Sequence, residues 1–135
     1  MPDIRVPPKI FDRALIARHL LRRPPGHDDF VTRLVLADLA DRLGTVTRTF
    51  EPAIILSPDA SLLPRSGRSA NGPFRFDRAS TVLPTAGVPL IDPEALDLPA
   101  RVYDLIVSIF DLDVVDDVPG LLARARGHLR GDGLF

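Results

Sequence analysis

Ser57, Asp59 and Ser61 alternate with Pro58 and Ala60 immediately behind the apolar run Ala53-Ile54-Ile55-Leu56. A buried strand that breaks into a tight turn and a helix start is where nucleotide-binding folds set a glycine-rich loop, because bare backbone lets a ligand approach closely. The stretch from Glu51 to Leu63 has the hydrophobic pattern of such a site but contains no glycine. Three more acids follow short apolar runs: Asp77 after Phe74-Arg75-Phe76, Asp92 after Val88 to Ile91, and Asp111 after Tyr103 to Phe110. In an open parallel sheet, ligands bind at the carboxyl ends of the strands, so acids placed there are candidates for holding a ligand's polar groups. Each also reads as a residue that ends a strand or caps a turn. Asp111 and Asp113 read as a solvated acidic loop, or as part of a helix-cap cluster with Asp116 and Asp117.

Other chemistries find less support. Ser57 or Ser61 as a nucleophile needs a positioned base, and no G-x-S-x-G elbow surrounds either. The chain has no cysteine, which removes thiol catalysis, disulfides and zinc fingers. His19 on a helix face, His27 in a loop and His128 at a helix end lack companion ligands, so no metal is expected. Seventeen basic side chains against eighteen acidic ones leave a net charge of -1, and no global field draws the chain to nucleic acid or an anionic membrane. No run approaches the roughly 20 apolar residues of a membrane span. Ala14 to Arg23 is Arg-rich and amphipathic, yet Arg18 and His19 interrupt its apolar core and Asp3 and Asp12 precede it, so it reads as a folded helix and not a targeting peptide.

With 135 residues, 45% of them apolar and 26% charged, the chain is sized for one globular domain with one core. The 14 prolines predict stiff loops. A reducing compartment, the cytoplasm, is expected, and an arginine-dominated basic set hints at a GC-rich bacterial genome.

The elements that must position the candidate residues follow from pattern. A Pro-rich lead over residues 1–9 precedes a helical segment over 10–48. Its first helix spans about Ile10 to Arg23, with Phe11, Leu15, Leu20 and Leu21 on its apolar face, and is stopped by Pro24-Pro25-Gly26. Its second starts at Asp28 or Asp29 and runs to Leu43, with Phe30, Leu34, Leu36, Leu39, Ala40 and Leu43 near helical spacing and Gly44 closing it. Residues 49–135 then read as strands alternating with helices. Ala53 to Leu56 is a buried strand, Leu62-Leu63 opens a short helix that Pro64 and the polar stretch to Gly72 end, and Phe74 to Asp77 and Val88 to Ile91 are brief strands. Tyr103 to Phe110, almost continuously apolar, is a parallel strand covered on both faces. Asp116, Asp117 and Pro119 start a helix whose buried face is Val118, Leu121, Leu122, Ala125 and Leu129. Gly131-Asp132-Gly133 then turns into Leu134-Phe135, the opening of a fifth strand. The predicted fold class is α/β, a Rossmann-like open and mostly parallel sheet with flanking helices, truncated after the start of that strand.

Four blocks in this order carry a resemblance: Ile10-Phe11-Asp12-Arg13-Ala14-Leu15, then Val102 to Ser108, then Asp116-Asp117-Val118-Pro119, then His128 to Phe135. Together they resemble the class I S-adenosylmethionine-dependent methyltransferases, in the branch similar to the biotin-pathway malonyl carrier-protein methyltransferase and the complex I assembly methyltransferase-like proteins. The resemblance covers nearly the whole chain from Ile10. It implies S-adenosylmethionine as cofactor, held at an acid and a G-x-G-x-G loop after the first strand. On this chain the acid falls at Ile55 and the three glycines at Ser57, Asp59 and Ser61, so all four defining positions are changed. Asp59 brings a carboxylate toward the place of the cofactor's own, and like charges at about 4 to 6 Å oppose binding. Pro58 and Pro64 stiffen the loop. The resemblance further implies that Asp77 receives the ribose hydroxyls and Asp92 the adenine amino group.

Three functions remain open at this point. One is a methyltransferase-family domain whose catalysis is weakened or lost, retained as a binding or assembly module. Another is an active methyltransferase with a divergent loop, in which methyl transfer to a carboxyl or amine depends mainly on positioning. The third, an oxidoreductase on a similar sheet, needs a G-x-G-x-x-G loop that is absent. The resemblance also implies further strands beyond Phe135, so either the chain is part of a longer product or a protein partner covers the open sheet edge beside the fourth strand.

Overall fold

The computed structural model describes residues 8–24, 29–98 and 102–135. His27, Asp28 and the Pro25-Gly26 stop signal, together with most of the Pro-rich lead, lie outside them. Helix α1 covers Arg13–Leu21, and Asp12 caps it by accepting from the Leu15 amide. Helix α2 covers Phe30–Gly44, with Asp29 accepting from the Thr32 amide. Strand β1 covers Ala53–Ser57, β2 Ser66–Ser69, β3 Gly72–Ser80, β4 Tyr103–Ser108 and β5 Leu129–Leu134, with helix α3 (Val118–His128) between the last two. The fold is α/β and Rossmann-like: one open five-stranded sheet in the order β2-β3-β1-β4-β5, parallel throughout except for the β2–β3 pair. Among the described residues no helix is long and apolar enough to cross a membrane.

β1 lies at the centre and all five of its residues are buried. Its alternation feeds two cores. Ala53 and Ile55 pack with Phe50, Phe74, Phe76, Leu105 and Leu43 beneath α2, while Ile54 and Leu56 pack with Tyr103, Ile106, Leu96 and Ala125 beneath α3. Each fully buried aliphatic side chain contributes roughly 1.5–3 kcal/mol over its exposed state, so both faces of β1 and β4 fix the sheet. α3 starts where Asp117 accepts from the Gly120 amide at 3.0 Å.

Several expectations need correction. The polar stretch before Gly72 is not merely a breaker. Ser66–Ser69 forms an antiparallel edge strand, joined to β3 through Ala70-Asn71, and Gly72 takes a φ of 123° that side chains resist. The helix expected at Leu62-Leu63 is a single 3-10 turn over Ala60–Leu62. Val88 to Ile91 is no strand. It makes only isolated bridges, Ser80 with Leu90 and Thr85 with Val88, because Pro84 and Pro89 lack the amides a ladder needs. β3 does not end at Asp77 but continues to Ser80.

Helix faces also differ in phase. In α2 the buried positions are Thr32 and Leu43, with Val35, Leu36 and Leu39 packed on the core, while Phe30 and Leu34 are exposed. In α3, Leu121 and Ala125 are buried but Leu122 is exposed. α1 has no fully buried residue. At β5 the register jumps: Leu129 pairs with Tyr103 and Leu134 with Leu105, so residues 130–133 bulge out opposite Asp104 alone. That carboxylate, 6% exposed, accepts from the Glu51 amide at 3.0 Å and meets Arg130 Nη1 at 3.3 Å. The bulge thus clamps the amino end of β4. Gly131-Asp132-Gly133, expected as a turn before a strand opening at Leu134, lies within β5, and Leu129, expected on the helix face, begins that strand instead.

Candidate functional site

At the carboxyl edge of the sheet, β1 and β4 end side by side in register, Leu56 beside Ser108. The chain leaves β1 through Ser57-Pro58-Asp59 and leaves β4 through Phe110 to Val114. A cleft of about 410 Å³ opens between these two loops, α1 and the start of α2. Its walls are largely apolar: Ile16 and Leu20 from α1, Val31 from α2, Leu62 after the β1 loop, and Phe110 and Val114 after β4. Asp59, Asp113 and the Arg23–Asp29 ion pair supply the charge. Phe110 is a non-glycine residue at φ 61° and is 44% exposed, a strained backbone that presents an aromatic ring at the ligand-binding edge.

The loop after β1 satisfies its own polar groups. Ser57 Oγ donates to the Asp59 carbonyl at 2.6 Å and accepts from the Asp59 amide at 3.2 Å. Asp59 Oδ1 accepts from the Ser61 amide at 2.9 Å and so caps the 3-10 turn. The segment after β3 folds back over the same edge: the Thr81 amide donates to the Ser57 carbonyl at 2.9 Å, and those of Val82 and Leu83 donate to the Pro58 carbonyl at 3.2 and 2.8 Å. Ser80 Oγ adds a bond to the Pro58 carbonyl at 3.0 Å. The three loop positions Ser57, Asp59 and Ser61 are therefore brought together, bonded chiefly to one another and to the strand next door.

Asp77 and Asp92 do not join them. Asp77 sits in register with Ile54, three positions before the Ser57–Ser80 pair that marks the edge. At about 3.3 Å of rise per residue it lies roughly 10 Å below the loop. Its side chain is exposed. Asp92 follows Ile91, whose amide donates to the Ser80 carbonyl at 2.8 Å, so it stands near the edge but beyond β3. There its carboxylate accepts from the Glu94 amide at 2.9 Å, as a turn-capping acid does.

The acid that reads as solvated from the sequence is the most buried one among the described residues. Asp111 is 1% exposed, receives hydrogen bonds from Thr81 Oγ1 at 2.5 Å and Ser108 Oγ at 3.3 Å, and ties the end of β3 to the end of β4. Burial pushes its carboxyl up to about 6, against the two hydroxyl bonds and the nearby Arg13 guanidinium, which both favour the ionised form. Nothing in the local sequence marks this, since Thr81 lies 30 residues away. Asp116 behaves oppositely. It accepts from the Ile10 and Phe11 amides at 2.6 and 2.9 Å, and those bonds hold its carboxyl below the usual carboxylate range. With Arg13 Nη2 donating to the Val114 carbonyl at 3.2 Å, they fasten the amino end of α1 to the loop after β4. Among the described residues no group of three or more His, Asp or Glu side chains is arranged to hold a metal ion.

Known proteins give a sparse comparison. The chain is 28% identical over 140 aligned residues to a Rattus norvegicus protein named Arginine-hydroxylase NDUFAF5, mitochondrial, a match covering 93% of this chain and 40% of that protein. The Homo sapiens protein of the same name is 29% identical over the same shares of each chain. This chain therefore spans about two fifths of the length of the curated relatives it matches. No family model matches, and no solved structure does. The similarity supports, at a coarse level, a relationship to methyltransferase-like proteins. Both relatives are mitochondrial by name, which bears neither on a bacterial origin nor on a cytoplasmic location for this chain.

Proposed function

We propose that this chain is a methyltransferase-like domain without methyl transfer from S-adenosylmethionine, and that it works as a binding module through the cleft between α1 and the carboxyl edge of the sheet. The observation that carries this reading is the closed loop after β1. A cofactor loop leaves backbone amides and bare space facing the ligand. Here the Asp59 and Ser61 amides are consumed by neighbouring side chains, and residues 81–83 are laced onto the Ser57 and Pro58 carbonyls. Asp59 adds a carboxylate where a negatively charged ligand group would have to approach. Asp77, mid-strand, is too far from that edge to receive ribose hydroxyls in the same site.

The occupant we favour is a cationic side chain of a protein segment. Among the described residues Asp59 and Asp113 form no ion pair, and both line an apolar trough that includes Phe110. An arginine or lysine lays its methylene stem along such walls, its charged head takes the acids, and an aromatic face adds a cation–π contact. The relatives' printed name designates arginine as the residue they act on. We place the body of the partner on the β5 side of the sheet: the open edge expected beside β4 is covered by β5, though only as far as Leu105. The rival reading is an active methyltransferase with a divergent loop.

Calorimetric titration of the purified chain with S-adenosylmethionine and with S-adenosylhomocysteine separates the two, with Asp77→Ala in parallel. A binding module of this kind gives no saturable heat with either compound. Binding near the micromolar range that Asp77→Ala abolishes would establish a working cofactor site and overturn the proposal.

A further inference from the structure

Strand β2 is the outer strand on the side of the sheet away from β5, and its pairing with β3 fixes which of its backbone groups face outward. The Phe76 amide donates to the Arg65 carbonyl at 3.0 Å, and in an antiparallel ladder bonded pairs alternate with unbonded ones. Gly67 with Phe74 and Ser69 with Gly72 are therefore the bonded pairs, while Ser66 opposite Arg75 and Arg68 opposite Pro73 turn their amides and carbonyls away from β3. Pro73 has no amide to offer, which agrees with that phase. The next outward amide, that of Ala70, is already taken by the Val46 carbonyl at 2.9 Å, whereas those of Ser66 and Arg68 have no backbone partner among the described residues. Beside this open stretch lies a hollow of about 170 Å³, lined by Leu36, Leu39, Ala40 and Leu43 of α2 together with Leu62 and Phe76. We propose that the outer edge of β2 is a strand-addition site for an extended protein segment that alternates apolar and acidic residues.

Each half of that pattern follows from one face of the strand. A Cβ on Gly67 would meet Phe74 Cζ at 2.5 Å and Phe76 Cε2 at 2.9 Å, so Gly67 and Ser69 face the core beneath α2, and Ser66 and Arg68 take the opposite, exposed face. A segment paired to β2 keeps the same alternation, and its residues on the α2 side lie over the hollow. Apolar cavities of about 150 Å³ admit benzene, so this one has room for a branched aliphatic side chain. Residues on the other face meet Arg68. The exposed face of the hairpin carries Arg68 and Arg75, diagonal neighbours across the pair, against the single acid Asp77, with Arg65 just before the strand. None of these three arginines forms an ion pair among the described residues. An acid on the added strand therefore meets unpaired positive charge, whereas a basic residue meets repulsion. The same charge speaks against a second copy of this chain: two β2 strands side by side would bring arginines together and offer only Gly67 and Ser69 to the hollow. The hollow shares only Leu62 with the cleft, and the inference does not rest on the function proposed above.

The probe is the capped peptide Glu-Ile-Glu-Ile-Glu, titrated into nitrogen-15-labelled protein at low ionic strength. Two comparison peptides accompany it: Lys-Ile-Lys-Ile-Lys, and the acidic sequence N-methylated at every internal amide. Strand addition predicts saturable shifts at Ser66–Ser69 and Leu36–Leu43, at about millimolar affinity, with slower amide exchange at Ser66 and Arg68. The lysine peptide and the N-methylated peptide leave those resonances in place. Arg68→Glu, at an exposed position, weakens the acidic peptide about fivefold or more and lets the lysine peptide bind. Equal shifts with the N-methylated form would show that no backbone pairing occurs, and equal binding by the lysine peptide would remove the acidic preference; either result overturns the proposal. So does an absence of shifts with the acidic peptide, or shifts confined to Asp59–Leu62 and Phe110–Val114. Shifts at Ser66–Ser69 that depend on protein concentration without any peptide would assign the edge to a second copy, and overturn it as well.

Discussion

Asp111→Asn is the substitution whose effect on stability follows most directly from the structure. Its carboxyl, ordinarily near 3.8, is pushed up to about 6 by burial. Below the ordinary value both the folded and the unfolded chain hold the proton, and the group makes no difference. As pH rises from about 4 to about 6 the unfolded chain releases its proton while the folded chain retains it, so the folded state loses stability across that window and the loss is constant above it. At 1.36 kcal/mol per pH unit the gap amounts to about 3 kcal/mol. Asparagine removes the titration while its amide oxygen still accepts from Thr81, and the Ser108 hydroxyl rotates to pair with the amide. Relative to the unaltered chain, Asp111→Asn is therefore expected to gain about 3 kcal/mol between about pH 4 and about pH 7. The assay is urea unfolding followed by far-ultraviolet circular dichroism, reading the difference between the two chains at each pH. Taking that difference cancels Asp116, whose lowered carboxyl pKa acts with the opposite sign at lower pH. A difference that stays flat to within about 0.5 kcal/mol across the window would refute the claim that desolvation governs this carboxyl.

Three other substitutions test the fold and the placement of candidate residues. Gly67→Ala puts a Cβ 2.5 Å from Phe74 Cζ and 2.9 Å from Phe76, rings already packed edge-to-face, and is expected to cost about 1–3 kcal/mol in a urea titration. Asp104→Ala removes the acceptor shared by the Glu51 amide and Arg130 and is expected to destabilise by about 2 kcal/mol, with faster amide exchange at Glu51 and in the 130–133 bulge. Asp77→Ala, at an exposed mid-strand position, is expected to change stability by no more than about 0.5 kcal/mol; a loss of more than about 1.5 kcal/mol would show a role that its position does not explain.

What the sequence disclosed depended on how local its signal was. The continuous apolar run Tyr103 to Ser108 identified a strand buried on both faces, and Asp29 and Asp117 marked the helix starts where their side chains cap. The edge hairpin is hard to read although Asn71-Gly72 is a strong turn signal, because Ser66 to Ser69 offers no hydrophobic alternation to either side. The sequence pattern ends β3 at Asp77, since an acid reads as a terminator. In the fold Ala79 and Ser80 are buried and β1 supplies ladder partners as far as Ser57, which carries the strand onward. That three-residue difference puts Asp77 below the carboxyl edge. Asp111 shows the other limit. Its burial is created by Thr81, Ser108 and the N-terminal segment meeting at one point, and no spacing in the sequence records such a convergence.

The central claim is that the cleft accepts a cationic side chain and the loop beside it does not accept S-adenosylmethionine. It is tested most directly by nitrogen-15 chemical-shift mapping of one labelled sample, titrated separately with S-adenosylhomocysteine and with a short arginine-containing peptide. The account predicts saturable shifts with the peptide, at about millimolar affinity, confined to Asp59–Leu62 and Phe110–Val114, and none with S-adenosylhomocysteine. Saturable shifts at Ser57–Leu62 and Thr81–Leu83 with S-adenosylhomocysteine, and none with the peptide, would contradict it.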